Sequence, residues 1–251
     1  MNDMPQAFQF AVRFLTRLPF GKHADYKPEL AAAAVSWYGP VGVVIGSIIA
    51  ISAWVLCGWL QLAALPAAAL LLAIWVSITG ALHLDGVGDC GDAWMGGHTP
   101  QHMLEIMKDS SCGVGAIVSI VLILVMKFSA LVVLVEQGDW QLLIFAPVMA
   151  RVVLTLVIRY TPYLRSDGLG ASLQSNLDIR SISIVGSLLF LALSVLWLKG
   201  FIYAVIASFI AYLIIHQSLI RPLKGVTGDI YGAVVELTET AVLIGLVAAI
   251  Y

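Results

Sequence analysis

Seven apolar runs, each long enough to cross a bilayer, constrain the fold of this chain more than any other feature. A helix needs about 20 mostly apolar residues to cross the hydrocarbon core, where its backbone groups must be bonded within the helix. The sequence is 61% hydrophobic and 11% charged, whereas soluble domains average about 25% charged residues. We assign the spans near residues 33–56, 62–82, 114–135, 141–160, 182–198, 201–219 and 233–250.

Residues 1–30 form an N-terminal segment ahead of the first span. Phe8, Val12 and Leu15 recur in it at helical spacing, which predicts a short amphipathic helix lying at the membrane interface. We therefore predict an all-α, polytopic membrane bundle of about seven transmembrane helices plus this interfacial helix. The bundle is expected to form one domain over residues 1–251.

The positive charges predict the orientation of the bundle, because lysine and arginine in short loops mark the cytoplasmic side. The loops on one side carry Arg13, Arg17, Lys22, Lys27, Lys108, Arg165, Arg180, Arg221 and Lys224. The opposite loops carry only Lys199. This bias predicts a cytoplasmic N-terminus and an extracytoplasmic C-terminus. Membrane lipid is the expected surrounding, and the net charge of −2 argues against nucleic acid as a partner.

Residues 83–113 form the one long polar connection, and we predict a cytoplasmic acidic loop there. If the second span continues as a helix, Asp85, Asp89 and Asp92 stand at i, i+4 and i+7 and share one face. Carboxylate oxygens favour Mg²⁺ or Ca²⁺. Nearby glycines at 86, 88, 91, 96 and 97 would let the backbone approach a ligand. The alternative is a solvated loop that binds nothing.

The start of the third span resembles a phosphate cradle. Backbone N–H groups at a helix N-terminus bind anions, and Ser110 and Gly113 lie just before this helix. Ordinary capping of the first turn by Asp109 or Ser110 explains the same residues equally well.

The last span contains three acids: Asp229 at its start and Glu236 and Glu239 within it. A carboxylate inside a membrane is costly unless it has a partner, so such acids indicate function by default. The alternative is a structural ion pair with Lys127 or Arg151, which also lie inside spans. Arg151 is the better candidate for substrate binding, because a guanidinium can hold phosphate bidentately.

Five motifs run in order along nearly the whole chain: RFLTRLP at 13–19, HLDGVGDCGDAW at 83–94, MLEIMKDSSCG at 103–113, YLRSDGLG at 163–170 and TGDIYGAVVELTE at 227–239. In these motifs the sequence resembles the cobalamin synthase family, the adenosylcobinamide-GDP ribazoletransferases. The resemblance implies a Mg²⁺-dependent membrane enzyme. Such an enzyme transfers phosphocobinamide from a corrinoid nucleotide, adenosylcobinamide-GDP, to α-ribazole or its 5′-phosphate and releases GMP.

The resemblance also suggests roles for individual residues. Asp85, Asp89 and Asp92, with Glu239, are expected to bind Mg²⁺. Asp109 or Glu236 is expected to act as the base or to complete the metal shell, and Lys108 to act on phosphate. The expected substrate-binding residues are Arg17, Ser110, Gly113, Arg151, Arg165 and Asp229. A homo-oligomer is also compatible with the family.

The sequence departs from the family pattern at two positions. Ser111 and Ala116 stand where the family has an arginine and a glycine, so Lys108 or another loop must supply the phosphate contact.

Two other classes of membrane protein use similar residues. A proton-coupled transporter also uses acids inside spans, but its site lies near the midplane between repeated halves, and no repeat is visible here. A CDP-alcohol phosphotransferase also uses clustered aspartates with Mg²⁺. Its DGxxAR segment is missing, because Asp85-Gly86 is followed by Val87-Gly88-Asp89.

Overall fold

The computed structural model describes residues 4–20, 27–165, 169–174 and 177–251, and within these ranges it contains helices and no β-strand. The helices are α1 (Met4–Leu15), α2 (Pro28–Ala34), α3 (Tyr38–Ala53), α4 (Ala64–Thr79), α5 (Leu82–Gly96), α6 (Pro100–Ile106), α7 (Val114–Gln137), α8 (Phe145–Tyr160), α9 (Leu169–Gln174), α10 (Ile179–Leu196), α11 (Leu198–Ile215), α12 (Arg221–Leu223) and α13 (Gly228–Ile250). Short 3₁₀ turns precede α3 and α8, and π turns follow α3 and α11.

Six continuous helical stretches are long and apolar enough to cross a membrane. They are Pro28–Trp59, Val114–Gln137, Trp140–Tyr160, Ile179–Leu196, Leu198–Leu223 and Gly228–Ile250. Over the described residues the bundle therefore has six such helices, or seven if α4 and α5, which pass the same test only as a bent pair, are counted as one span. The predicted all-α, multi-pass membrane bundle is confirmed over the residues that the structure describes. Helix α13 is central, since it packs against α5, α7, α8 and α11.

The second span ends earlier than predicted, at a sharp corner between α4 and α5. Gly80 and Ala81 both have positive φ angles, 63° and 56°, which interrupts the helical hydrogen-bond ladder, and the two helices meet at 91°. The predicted acidic loop at 83–113 is therefore wrong in its local structure, because α5 and α6 occupy most of it. The side chain of Arg17 lies over Gly80, where an added Cβ would come within 2.5 Å of the Arg17 side chain.

The glycines of α5 serve helix packing. Gly86 lies against the backbone of Asp229 on α13, and an added Cβ on Gly232 of α13 would lie 3.3 Å from the Gly86 Cα. Gly88 and Gly91 face α7 in the same way. The interpretation of these residues as a backbone approach to a ligand is therefore corrected. They let α5 fit closely between α13 and α7, which carries its acids to the ends of those helices.

Helix α1 is amphipathic, as predicted, but its apolar face packs on protein. Ala11 and Leu15 are buried, and α1 contacts α2 and α3. The Phe14 ring stacks on that of Tyr38 at 6.2 Å between centroids. Contact with the bundle thus accounts for the hydrophobic stripe, and the position of α1 at the membrane interface stays a prediction. Gly42 and Gly46 of α3 lie against the backbone at residues 144–148, so α3 packs closely on the start of α8.

Candidate active site

The acids of α5 and the start of α13 share one end of the bundle. Asp85 lines a cavity together with Asp229, and Asp89 interacts electrostatically with Asp85, Asp92 and Asp229. Asp85 is exposed, and Asp89 and Asp229 are partly buried. The crossing of α5 and α13 at Gly86 accounts for this, because it holds the two helices in backbone contact. Carboxylates that are far apart in the sequence therefore meet.

Asp92, although near Asp89, caps α7. Its two carboxylate oxygens accept hydrogen bonds from the backbone N–H of Gly113 at 2.7 Å and of Ala116 at 2.9 Å. A carboxylate satisfies the free N–H groups at a helix N-terminus and interacts favourably with the helix dipole. The predicted phosphate cradle at Gly113 is therefore occupied by a side chain of the protein itself. Gly113 has no room for a Cβ beside this carboxylate.

Arg165 supplies positive charge beside the acids. Its guanidinium donates to the Asp229 carboxylate at 2.8 Å and to the Met107 carbonyl at 3.3 Å. Thr227 also donates to the Asp229 carboxylate, at 3.2 Å. The segment before Arg165 is fixed by a parallel bridge between Tyr163 and Val226. The structure thus brings together two of the predicted substrate-binding residues, Arg165 and Asp229; the neighbouring Asp167 lies outside the described residues.

The connection between α6 and α7 lies on the same side as Arg165. Lys108, Asp109 and Ser110 are exposed in it. The Asp109 carboxylate accepts from the Ser111 backbone N–H at 2.9 Å. This bond, together with one to the Ser111 hydroxyl, lowers the pKa of Asp109 below its usual value. A carboxylate with a lowered pKa is a weaker proton acceptor, so this turn suits Asp109 to the role of a fixed negative charge better than to that of a base.

Four other predicted or suspected residues form a buried ion network inside the bundle. The Lys127 ammonium lies 2.6 Å from a carboxylate oxygen of Glu236 and 2.5 Å from one of Glu239. Arg151 pairs with the other oxygen of Glu239. The side chains are at most 4% exposed. Charges in a low-dielectric interior persist when they are paired, and here two cations face two anions.

Three predicted site residues belong to this network and do not line the cavity. Arg151 and Glu239 are fully buried and bound to each other, and Glu236 is bound to Lys127. The structure therefore corresponds to the alternative reading, a structural ion pair. Arg17, a further predicted substrate contact, lies over the corner between α4 and α5 and does not line the cavity.

The cavity has a volume of about 350 Å³ and lies among α1, α5, α8, α9 and α13. Its polar wall consists of His83, Asp85, Arg165 and Asp229. Sequence reasoning did not select His83, although it opens the HLDG motif. The residue is buried, its Nδ1 has no hydrogen-bond partner in the described part of the chain, and it lies within electrostatic range of the buried network. It therefore separates the cavity from the ion pairs.

The residues present are compatible with Mg²⁺, in a different arrangement from the one predicted. Among the described residues, no group of three or more Cys, His, Asp or Glu side chains is arranged to hold a metal ion. Asp92 is occupied by α7, and Glu239 by Lys127 and Arg151. Mg²⁺ commonly binds to one or two carboxylates together with substrate phosphates and waters. Asp85 and Asp89, beside Asp229, supply that number of ligands.

Fold and site together define a multi-pass helical membrane protein with an acidic cavity at one end of its bundle. A model of the family described as cobalamin-5-phosphate synthase matches residues 7–247. The chain belongs to this family. The resemblance predicted from the motifs is thereby confirmed, and neither the transporter nor the CDP-alcohol alternative is favoured.

Curated relatives carry one name along almost their full length. The adenosylcobinamide-GDP ribazoletransferase of Pseudomonas aeruginosa (strain UCBPP-PA14) is 42% identical, over 98% of this chain and 99% of the relative. That of Stutzerimonas stutzeri (strain A1501) is 39% identical, over 94% and 95%. That of Acinetobacter baumannii (strain ACICU) is 37% identical, over 97% and 98%. No solved structure matches this chain.

Proposed function

We propose that this chain is an adenosylcobinamide-GDP ribazoletransferase. It transfers the phosphocobinamide group from the GDP-activated corrinoid to a ribose hydroxyl of α-ribazole or α-ribazole 5′-phosphate and releases GMP. The full-length similarity to relatives of that name supports the reaction. The observation that carries the proposal in the structure is that Asp85 and Asp229 line one cavity and that Asp89 interacts electrostatically with both.

The reaction requires negative charge on the pyrophosphate to be offset while a hydroxyl attacks phosphorus. Asp85 and Asp89 would hold Mg²⁺, which when bound supplies Lewis acidity to the phosphate oxygens. Asp229 keeps the Arg165 guanidinium at the edge of the cavity, where its remaining N–H groups can donate to phosphate. Lys108, exposed in the neighbouring turn, is the second cation available to the donor.

The cavity belongs, in this proposal, on the cytoplasmic side of a bacterial cytoplasmic membrane. Arg165, Lys108 and the start of α13 lie at the same end of the bundle as α5, and the basic loops favour the cytoplasm for that end. Both nucleotide substrates are then reached without transport. Assembly into a homo-oligomer stays a prediction.

The direct test is GMP release by the purified protein in liposomes, with adenosylcobinamide-GDP, α-ribazole and Mg²⁺. We expect release to require all three and to fall by at least about 100-fold in Asp85→Asn, because the isosteric amide removes a charge from the metal-binding group. Asp139→Asn is the matched control, since Asp139 lies in the connection between α7 and α8 at the opposite end of α7. Absence of GMP release from the wild-type protein would reject the function, and full activity of Asp85→Asn would reject the site.

A further inference from the structure

The cavity lined by Asp85 and Asp229 also has apolar lining residues with no role in the mechanism above. They are Phe14 and Leu15 of α1, Leu154 and Ile158 of α8, and Leu173 of α9. Resting on the proposed function, we propose that this apolar part of the lining is the subsite for the aromatic base of α-ribazole. Its side chains would then determine which bases the enzyme accepts.

The volume of the cavity indicates which of the two substrates can enter it. A cavity of about 350 Å³ lies at the small end of the range for small-molecule sites, and it suits a base linked to one ribose. A corrin macrocycle that carries a guanosine nucleotide is much larger than this volume. The donor must therefore present its pyrophosphate from outside the cavity, while the acceptor enters it.

The chemistry of the walls favours a flat apolar ring. Tyr163 and Tyr231 also line the cavity, and their rings are stacked with centroids 5.8 Å apart and planes inclined by 24°. Aromatic side chains of this kind bind flat rings through offset stacking and apolar burial. The aliphatic side chains of Leu154 and Ile158, which belong to the buried core, close the lining on the side of α8.

The aromatic wall is fixed in place before any ligand binds. The Gln174 side chain accepts from the Tyr163 backbone N–H at 3.2 Å and donates to the carbonyls of Ile158 at 2.9 Å and Thr161 at 2.6 Å. Its amide also donates to the Tyr231 hydroxyl at 3.4 Å. A preorganised wall lowers the ordering cost of binding.

The polar lining residues set the orientation of the bound acceptor. Asp85, Arg165 and Asp229 line the same cavity as the apolar side chains. An acceptor that binds with its base among Leu154 and Ile158 therefore directs its ribose hydroxyls toward the carboxylates and the phosphate site. This is the arrangement that attack on the donor phosphorus needs.

Leu154→Phe tests the subsite by filling it. We expect the KM for α-ribazole to rise by about 10- to 200-fold, the usual range for a change of hydrocarbon volume in an apolar pocket, while the KM for adenosylcobinamide-GDP stays within about twofold. Leu156→Phe is the matched control. It makes the same change two residues away on α8, where Leu156 is 43% exposed on the outside of the bundle, and both KM values should be unchanged.

Leu154→Ala tests the same idea in the opposite direction, with a result that misfolding cannot imitate. The enlarged cavity should raise the ratio of kcat/KM for a bulkier naphthimidazole riboside to that for α-ribazole by at least about 10-fold. Wild-type protein that releases no GMP with either riboside would refute the proposed function itself. Active wild-type protein with an unchanged ratio in Leu154→Ala, or with both KM values raised equally in Leu154→Phe, would refute only the subsite.

Discussion

Asp92 shows at the scale of one residue how the structure separates acids that the sequence groups together. Asp85, Asp89 and Asp92 share the helical spacing of a metal site, but both oxygens of Asp92 accept from the N-terminus of α7. We expect Asp92→Ala to lower the free energy of unfolding by about 0.5–2 kcal/mol, the usual loss for a helix cap. Asp92→Asn keeps one acceptor oxygen and should lose less. Thermal unfolding in detergent measures both.

The dependence of the rate on Mg²⁺ concentration distinguishes the cap from a ligand. In Asp92→Asn the Mg²⁺ concentration for half-maximal GMP release should stay within about twofold of the wild-type value, because the side chain is bound to α7. In Asp89→Asn it should rise by about 10-fold or more. If the Mg²⁺ concentration for half-maximal release rose strongly in Asp92→Asn while the stability was unchanged, Asp92 would be a metal ligand after all.

The positions of single acids were predictable only in part. The sequence identified Asp85 and Asp89, because dense carboxylates and the family motif coincide there. It could not show that α7 begins beside Asp92, since that contact joins residues 21 apart across the α6 connection. Tyr163 and Tyr231 gave no signal either, because aromatic residues near a membrane interface are expected in any such protein.

The buried ion network connects three elements, α7, α8 and α13, through Lys127, Arg151, Glu236 and Glu239. In Lys127→Met, two carboxylates would face the single cation of Arg151. We expect a loss of about 3–5 kcal/mol in the free energy of unfolding, the range for removal of one partner from a buried pair. Thermal or denaturant unfolding of the purified protein measures the loss.

The double variant Lys127→Met with Glu236→Gln is the control for charge balance. It leaves Arg151 paired with Glu239, so that one cation again faces one anion, and it should recover more than half of the lost stability. It should also release GMP, because the network lies outside the acidic cavity. If the double variant were stable but released no GMP, Glu236 would have a role in the reaction itself.

Helices were more predictable than their breaks. Hydropathy located the spans within a few residues, because the lipid imposes one requirement on each of them. The corner at Gly80 was missed, since apolar residues continue through it to Leu84 and only two positive φ angles mark the break. That corner turns α5 and its acids across the end of the bundle. The helix break that is hardest to predict from the sequence therefore has the largest effect on the site.

At the scale of the whole molecule, the proposal requires every part of the site to lie on one side of the membrane. The helices that begin at Val114 and Gly228 start beside α5, as the contacts of Gly113 with Asp92 and of Asp229 with Gly86 show. The first span begins at Pro28 on that side and ends at Trp59 on the other. The three cysteines of the chain are free, and labelling them can show on which side of the membrane each part lies.

A membrane-impermeant maleimide tests the orientation through these thiols. Cys112 is exposed in the connection between α6 and α7, Cys57 is partly buried near the far end of the first span, and Cys90 is buried in α5. In a Cys57→Ser background, Cys112 should be modified in inverted membrane vesicles and protected in right-side-out vesicles, because a thiolate reacts only where the reagent reaches it. The label should disappear when Cys112→Ser is added. Modification of Cys112 in right-side-out vesicles would place the acids outside the cell, where a nucleotide-activated donor made in the cytoplasm could not reach them, and the proposed function would need a different membrane topology.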